Sequence, residues 1–587
     1  MLSILIEKRI ELVQFLLFMF SFGLISISLS ADYHPDLILV NGKILTVDKS
    51  FSIAEAVAIK NDRFLAVGSN ADIIKLAGNS TTKIDLKGKT VIPGLIDAHL
   101  HPEGASLSEL VEEIPDVRTR KALLSWIKTQ ATIKKKGEWI IHPKFFPTRL
   151  EEMTWPKLEE LDAAAPQNPV FLNGSYGGII NSEAMRISNI TGKTEHPGIF
   201  KKSETGQPTG LLNASAFSLL KMNKPAQLTY EERLDALEKM IARYNRVGIT
   251  GLCSGAGDPE NMRMYFDLKK SKRLTARILQ NITLPLDIDA SAEEIEKKLK
   301  SLGYYTGFGD EWIRVGALKV WIDGGILTGT AYLREPWGEK GKEIYGIDDT
   351  SYRGVLLISK KALITIGSVA NKLGWKFTAH CTGGGGVDLM LDAFEEVNRI
   401  RPIKDRRFSI IHGNFFTPEA VERMKKLGVY ADMQPAWFYK DADAMNYVLG
   451  EKRIGTFHPY KSLFEAGVMV NGGSDHMVKF DSYTSINPYN PFLAMWSTIA
   501  RKTERGSIIV QEEAITREEA LKMYTINNAF GSFEEDIKGS IEPNKLADLV
   551  VISDDILTCP VDKIKDIKAE MTMVGGKIVY KSESFEF

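Results

Sequence analysis

Residues 91–102 read VIPGLIDAHLHP. A β-branched apolar run ends at two histidines spaced i and i+2. Strand side chains repeat every two residues, so His99 and His101 project from one face with Leu100 turned away. Two imidazoles converging at a strand end can hold one divalent cation. Four further apolar runs end in groups able to join such a centre. Residues 313–322 (IRVGALKVWI) carry Lys319 within the run, and residues 375–379 (WKFTA) are followed by His380. Residues 408–411 (FSII) are followed by His412, and residues 468–473 (VMVNGG) lead through Ser474 to Asp475. A lone H-x-H is more often two satisfied histidines than a metal site. An ordered series of His-x-His, Lys, His, His and Asp, each on its own strand, is a much stronger signal.

These side chains suit metal-assisted hydrolysis. A bound cation lowers the pKa of its water from about 16 to about 7, which permits attack on an amide at neutral pH. His99, His101 and Asp475 would bind one ion, and His380 and His412 a second. Asp475 would ligate through one oxygen and act as general base through the other, passing the proton to the leaving nitrogen. The expected cofactor is a divalent metal, zinc foremost, with one or two ions per chain. Imidazole and carboxylate ligands suit iron and manganese as well.

The positioning elements follow from the pattern around these residues. Short apolar runs separated by helical stretches indicate a parallel α/β sheet. In a closed barrel of this kind the active groups come from the carboxyl ends of several strands. Both chain ends are β-rich instead. Residues 37–47 read as a hairpin around Asn41-Gly42, residues 56–67 as a second, residues 549–552 as a strand and residues 571–580 as a hairpin around Gly575-Gly576. The expected architecture is an α/β fold. It consists of a TIM-type (β/α)8 barrel at 94–535 and a small composite β-sandwich formed by both chain ends, 31–93 and 536–587. The interval 109–230 far exceeds a βα loop of about 2–6 residues, so it is read as a subdomain inserted over the active face. A helical apolar period resumes at 235–247.

The residues quoted above carry a resemblance. VIPGLIDAHLHP resembles the metal-binding signature of the amidohydrolase superfamily. Residues 319–325 (KVWIDGG), the His380 segment, Ile411-His412, Gly473-Ser474-Asp475, residues 539–543 (GSIEP) and residues 546–551 (LADLVV) resemble its YtcJ-like branch, which is amidohydrolase 3-like and N-substituted formamide deformylase-like. The match runs from about residue 35 to the end. It implies the same barrel-plus-sandwich composite, with His99, His101, Lys319, His380, His412 and Asp475 as the metal set. It also implies a carbamylated Lys319 as the bridge between two ions; the alternative is an ammonium paired with an acid such as Asp323. Two segments depart from the family. A Gly-Asp-Arg-Ala type loop usually follows the third histidine, where this chain has Cys381-Thr382 and four glycines, Gly383 to Gly386. The insertion usually carries Asp-Gly-His where this chain reads Ser175-Tyr176-Gly177-Gly178. A substrate-facing histidine is thereby lost, and deformylation of formamides is not directly inherited.

Composition excludes several classes. The 587 residues carry a net charge of −1, with 44% apolar and 25% charged residues, so nothing favours nucleic acid or an anionic membrane. Lys8 and Arg9 precede an apolar stretch at 12–27 and the small residues Ser28-Leu29-Ser30-Ala31. This order reads as a signal peptide at 1–30, giving a secreted or periplasmic protein with no membrane attachment after cleavage. Cys253, Cys381 and Cys559 form neither a disulfide framework nor a cysteine zinc site. His34, His142, His196 and His458 read as surface or packing residues. His476, beside Asp475, reads as a group behind the ligands or facing substrate. Trp321, Trp337, Trp437, Phe438 and Tyr439 are candidate pocket aromatics, each better explained singly as packing. The expected function is an exported hydrolase of a non-peptide C–N bond, linear or cyclic, acting on a small molecule, with a homo-oligomer open. The alternatives are an ester or lactone hydrolase with the same site and a non-catalytic metal-binding scaffold, which would not need all six ligand-type residues.

Overall fold

The computed structural model describes residues 34–110, 113–201, 204–222, 228–285 and 290–586, so the signal-peptide reading at 1–30 lies outside the described residues. Eight strands build one parallel sheet in sequential order: β1 (Leu95–Leu100), β2 (Ile249–Gly257), β3 (Arg277–Ile282), β4 (Ile313–Trp321), β5 (Phe377–Cys381), β6 (Ser409–His412), β7 (Tyr430–Met433) and β8 (Val470–Gly472). All seven ladders are parallel. The strands are buried on both faces, because helices cover the outside and side chains fill the inside. Helix Gly384–Ile400 shows how this works. It buries Val387, Met390, Leu391, Phe394 and Val397, a single stripe at helical spacing, and Phe394 meets Phe377 of β5 at 6.2 Å.

The seam between β8 and β1 is closed by a side chain. Asn528 Nδ2 donates to Ile96 O at 2.5 Å and to Gly472 O at 2.8 Å, while its Oδ1 accepts from Gly472 N. Above this clasp the chain after β8 completes the join, with Asp475 N donating to His99 O at 2.6 Å and His101 N to His476 O at 2.8 Å. The result is the TIM-type barrel expected from the sequence.

The chain ends form the expected sandwich. One sheet interleaves N-terminal strands Lys43–Leu45, Ile53–Ala54 and Thr90–Pro93 with C-terminal strands Leu549–Ile552, Ala569–Val574 and Lys577–Lys581. Thr90–Pro93 and Leu549–Ile552 pair antiparallel at its centre. The other sheet holds Leu37–Val40, Ala56–Lys60, Arg63–Gly68 and Thr82–Asp85. Leu39, Val57 and Ile84 face Val91, Leu549 and Met571 in the shared core. One expectation is corrected. Residues 37–47 are not a hairpin, since Leu37–Val40 pairs with Ala56–Lys60 and Thr82–Asp85 whereas Lys43–Leu45 pairs with Ile53–Ala54 and Thr90–Pro93. Asn41-Gly42 carries the chain from one sheet to the other, because burying both apolar runs in one core outweighs the local turn preference. The hairpins Ala56–Lys60/Arg63–Gly68 and Ala569–Val574/Lys577–Lys581 are formed as read.

Between β1 and β2 lies a separate five-stranded sheet in the order Ile199–Lys201, Pro208–Asn213, Gly177–Ile180, Val170–Asn173, Ile140–His142. Helices Arg120–Ile133 and Leu158–Ala164 pack on it through Leu123, Ile127 and Leu161. The turn between Val170–Asn173 and Gly177–Ile180 reaches over the carboxyl end of the barrel. No helix among the described residues is long and apolar enough to cross a membrane.

Candidate active site

The carboxyl ends of β1, β4, β5, β6 and β8 bring the six sequence-predicted residues to one place. His99 and His101 end β1, Lys319 lies near the end of β4, His380 in β5, His412 closes β6 and Asp475 follows β8. Asp475 Oδ1 lies 3.3 Å from His101 Nε2 and 3.6 Å from His99 Nε2. The His99 and His412 rings meet edge to face at 5.3 Å. One ligand atom each from His99, His412 and Asp475 falls within a mutual span of 4.8 Å. All three residues are buried, and only His101 is partly open, its side chain 28% exposed.

The electrostatics favour a cation among these groups. Burial, with the Lys319 charge adding to it, holds the His99 imidazole well below its usual range. Burial likewise brings His412 down to about 4. Both rings are therefore neutral and offer lone pairs. Burial alone would raise Asp475, but the His101 hydrogen bond and the positive charge nearby, Lys319 included, outweigh it and keep the carboxyl below its usual range. An ionised carboxylate among neutral imidazoles is the donor set of a divalent metal. His99 Nδ1 is buried with no hydrogen-bond partner in the protein. The residues thus fit the group that their chemistry implies.

Supporting contacts fix tautomers. His412 Nδ1 donates to Gln434 Oε1 at 2.7 Å, leaving Nε2 as the free lone pair. Trp437 stacks on the same ring at 4.8 Å. His412 and Asp475 both hold positive φ, 72° and 53°, a strained backbone for residues other than glycine and one that concentrates at functional sites. Gly255 of β2 makes room for His99, since a Cβ there would sit 2.4 Å from the ring.

His380 stands apart from this group. Its ring lies 4.6 Å from that of His412, yet Nε2 donates to Gly324 O at 3.0 Å and Nδ1 accepts from the Tyr176 hydroxyl at 3.2 Å. Lys319 Nζ approaches His99 Nε2 at 3.5 Å, and burial lowers its amine to about 8. Asp323 does not pair with it. That carboxylate instead accepts the backbone N–H groups of Tyr332, Thr382 and Gly383 at 3.0, 2.9 and 2.7 Å.

The other residues singled out in the sequence sort clearly. His476 is fully buried and turned away, Nδ1 bonded with the Tyr244 hydroxyl at 2.8 Å and Nε2 donating to Lys479 O at 2.7 Å. His458 packs between Tyr460 and Asn414, and His142 lies buried against Trp126 and Phe145. Trp321 and Trp437 line the pocket, whereas Trp337 donates to Ala331 O, Phe438 packs on Arg501 and Tyr439 on Trp496. The glycine run after His380 is not a loop. It opens helix Gly384–Ile400, and Cβ atoms at Gly383 and Gly385 would lie 2.1 and 2.8 Å from the Tyr332 and Leu333 carbonyl oxygens, so close approach explains the residue type.

Above the ligands lies a pocket of about 330 Å³. Its walls are mainly apolar, with Phe146, Trp321, Leu327, Trp437 and Met477. The insertion contributes Lys144, Ser175 and Tyr176. Tyr176, within the segment where the family resemblance implies Asp-Gly-His, stacks on His380 at 4.6 Å. Sequence reasoning did not find Lys144, Gln434 or Asn487, which lie on a turn, a helix cap and a loop with no motif spacing. Asn487 Nδ2 donates to Asp475 O at 2.8 Å.

Comparison with known proteins gives the same picture. The Amidohydrolase family profile matches residues 82–580. N-substituted formamide deformylase from Arthrobacter pascens is 28% identical, the alignment covering 93% of this chain and 98% of that protein. Putative amidohydrolase YtcJ from Bacillus subtilis is 26% identical over 92% of this chain and 98% of its own length. Among solved structures, an uncharacterized metal-dependent hydrolase from Pyrococcus horikoshii superposes with a TM-score of 0.65 at 22% identity, covering 90% of this chain and 99% of that one. Atrazine chlorohydrolase from Arthrobacter aurescens, complexed with zinc, shares the fold at a TM-score of 0.52 and 13% identity, covering 93% and 95%.

Proposed function

Because this chain belongs to the amidohydrolase family and is a metal-dependent hydrolase of non-peptide C–N bonds, we propose that it cleaves a small linear or cyclic amide above His99 and Asp475, with Asp475 as general base. One observation supports this above the others. Asp475, buried and held ionised, stands 3.3 Å from His101 and 3.6 Å from His99 at the floor of an apolar pocket.

A divalent cation, zinc in this reading, held by His99, His101 and Asp475 would supply the Lewis acidity that acidifies water and polarises an acyl oxygen. A second ion would be held by His412, a Lys319 carbamate and His380, whose ring would have to exchange its Gly324 or Tyr176 contact for the metal. The protein groups do the rest. Asp475 takes the proton of the attacking water as its oxygen bonds to the acyl carbon. The same carboxyl returns that proton to the nitrogen as the C–N bond breaks, leaving a carboxylic acid and an amine. Asn487 lies 3.4 Å from Asp475 Oδ2 and helps hold the carboxylate in place. Phe146, Trp321 and Trp437 keep the surroundings of low polarity, which strengthens each charge interaction there. The Lys319 amine, brought to about 8 by burial, adds to carbon dioxide with loss of a proton, giving an anion with two oxygens.

In the same reading residues 1–30 are a signal removed on export, and residues 109–230 are a subdomain that roofs the site. N-substituted formamides are one class to try, since a relative carries that activity in its name. The test is metal analysis of the purified enzyme with a screen of amides, ureas, cyclic imides and lactones. Metal-dependent release of amine supports the reading, and turnover confined to lactones replaces it with the ester reading. An N-terminus at Met1 in soluble cytoplasmic protein would remove the export step.

A further inference from the structure

Two lysines line the pocket, Lys319 at its floor and Lys144 in its roof, and among the described residues Lys144 forms no ion pair. Lys144 lies on the insertion, just after strand Ile140–His142, and lines the same cavity as His99, Lys319 and Asp475. Its Nζ donates to Ser175 Oγ, and no carboxylate among the described residues pairs with it. The neighbouring cations differ. Arg118 pairs with Asp116 and Glu504, Arg149 with Asp441, and Lys440 with Glu504. The other polar groups on this wall are already engaged. Thr328 bonds with Gly325 and Thr330, and Asn487 with Asp475 and Arg149. An ammonium has three N–H donors and a hydroxyl has one proton to give. Lys144 therefore keeps donors in reserve, and so does Ser175, whose oxygen accepts from Lys144.

The backbone holds this pair in place. Ser175 sits at φ 70°, an uncommon conformation for serine, in a turn closed by Gly174 N donating to Gly177 O at 2.8 Å and Ser175 N to Asn173 Oδ1 at 2.8 Å. The same turn places Tyr176 on His380. A lysine at the edge of an apolar cavity carries a desolvation cost that an anionic ligand relieves.

We propose that the substrate carries a carboxylate, seated on Lys144 Nζ and Ser175 Oγ, while its scissile C–N bond lies over Asp475 and its apolar body lies against Trp321, Phe146 and Leu327. The substrate class is thus an N-acylated or cyclic amide of a small carboxylic acid. This deepens the function proposed above and rests on it for the position of the bond, but the carboxylate subsite is testable on its own.

The probes are N-benzoylglycine and its neutral twin N-benzoylglycinamide. Binding to the metal-loaded enzyme is measured by calorimetry and turnover by amine release. A charge-assisted pair at this position should favour the acid by at least about tenfold. Lys144→Met should bring the acid-to-amide ratio near one, Lys144→Arg should retain part of the preference, and Ser175→Ala should lower it severalfold. Metal content of each variant is measured alongside. A carboxylate that merely ligated the metal would keep its advantage in Lys144→Met, and that result overturns the proposal. An equal loss for acid and amide in Lys144→Met also overturns it, since Lys144 would then act on the reaction rather than on recognition. A Lys144-dependent preference in binding with neither compound hydrolysed keeps the subsite and counts against the C–N cleavage reading for these acyl groups.

Discussion

The pocket has two walls built on different principles. The floor is made by strand ends: His99, His412 and Asp475 are buried, braced by backbone and side-chain contacts, and fixed by the register of a closed barrel. The roof is made by one turn and one strand end of the inserted sheet, where Lys144, Ser175 and Tyr176 are only partly buried. Strand ends hold the groups that must stay within tenths of an ångström of one another. Turns carry groups that distinguish one substrate from another and change without disturbing the barrel. The two departures expected from the sequence resemblance fall outside the floor. The Ser175 turn alters the roof, and the Gly383 to Gly386 run alters a helix start behind His380, while the floor keeps every ligand-type residue.

The largest effect should come from the floor. His99→Ala or His101→Ala should lower metal content and reduce hydrolysis by about 10³-fold or more, read by elemental analysis and amine release. Full metal occupancy in the double variant would sink the assignment. Lys319→Ala should lose a second ion and most activity, with a short carboxylic acid in the buffer restoring part of both. Lys319→Arg should not be rescued, because a guanidinium stays charged and cannot carry a carbamate. An unmodified Lys319 in a high-resolution map with the metal site otherwise full would mean a mononuclear enzyme.

Gly255→Ala tests the floor from behind. Its Cβ would meet the His99 ring at 2.4 Å, so metal affinity should fall by about 10–100-fold with the fold intact by circular dichroism. Acid should separate floor and roof less sharply. Burial holds His142, in the roof, and His476, beside the floor, at about 4 against 6.5 for an exposed imidazole. Between these values the unfolded chain binds more protons, so stability rises with pH there and is lost as pH falls from 6.5 towards 4. For each histidine the stability lost on passing from neutral pH to below 4 is on the order of 3 kcal/mol. An NMR titration of the folded protein in which either imidazole takes up its proton near 6.5 would refute its assignment as buried and neutral. The smallest effect belongs to Tyr176→Phe, which keeps the stack on His380 and removes one hydrogen bond of about 1 kcal/mol. A severalfold change in kcat/KM is expected, and a loss as large as that of His101→Ala would move Tyr176 into the chemistry.

Much of this was legible in the sequence because it depends on spacing. His-x-His at a strand end, and polar groups each following a run of β-branched residues, survive translation into structure since a strand fixes side-chain direction every second residue. Strands β2, β3 and β7 were not legible in that way. Their interiors carry Gly255, Gln280, Asn281 and Asp432, which dilute the apolar signal, and they end without ligand-type residues. Asn41-Gly42 misled because a turn preference is local and sheet membership is not. Lys144 was silent for the same reason: nothing within its own segment states that it lines the same cavity as Asp475, which comes about only once the inserted sheet is laid over the barrel. Gln434 offered no signal either, as its role is defined by a ring 22 positions away.

The antiparallel join of Thr90–Pro93 with Leu549–Ile552 sets an order of assembly. During synthesis the N-terminal half of that sheet emerges first and must wait, edge unpaired, until nearly the whole chain has left the ribosome. The sandwich therefore cannot be completed before the barrel segments between its halves have been synthesised. A terminal truncation removes the partner of a central strand rather than a dispensable tail, and the last few dozen residues act as the latch on the first.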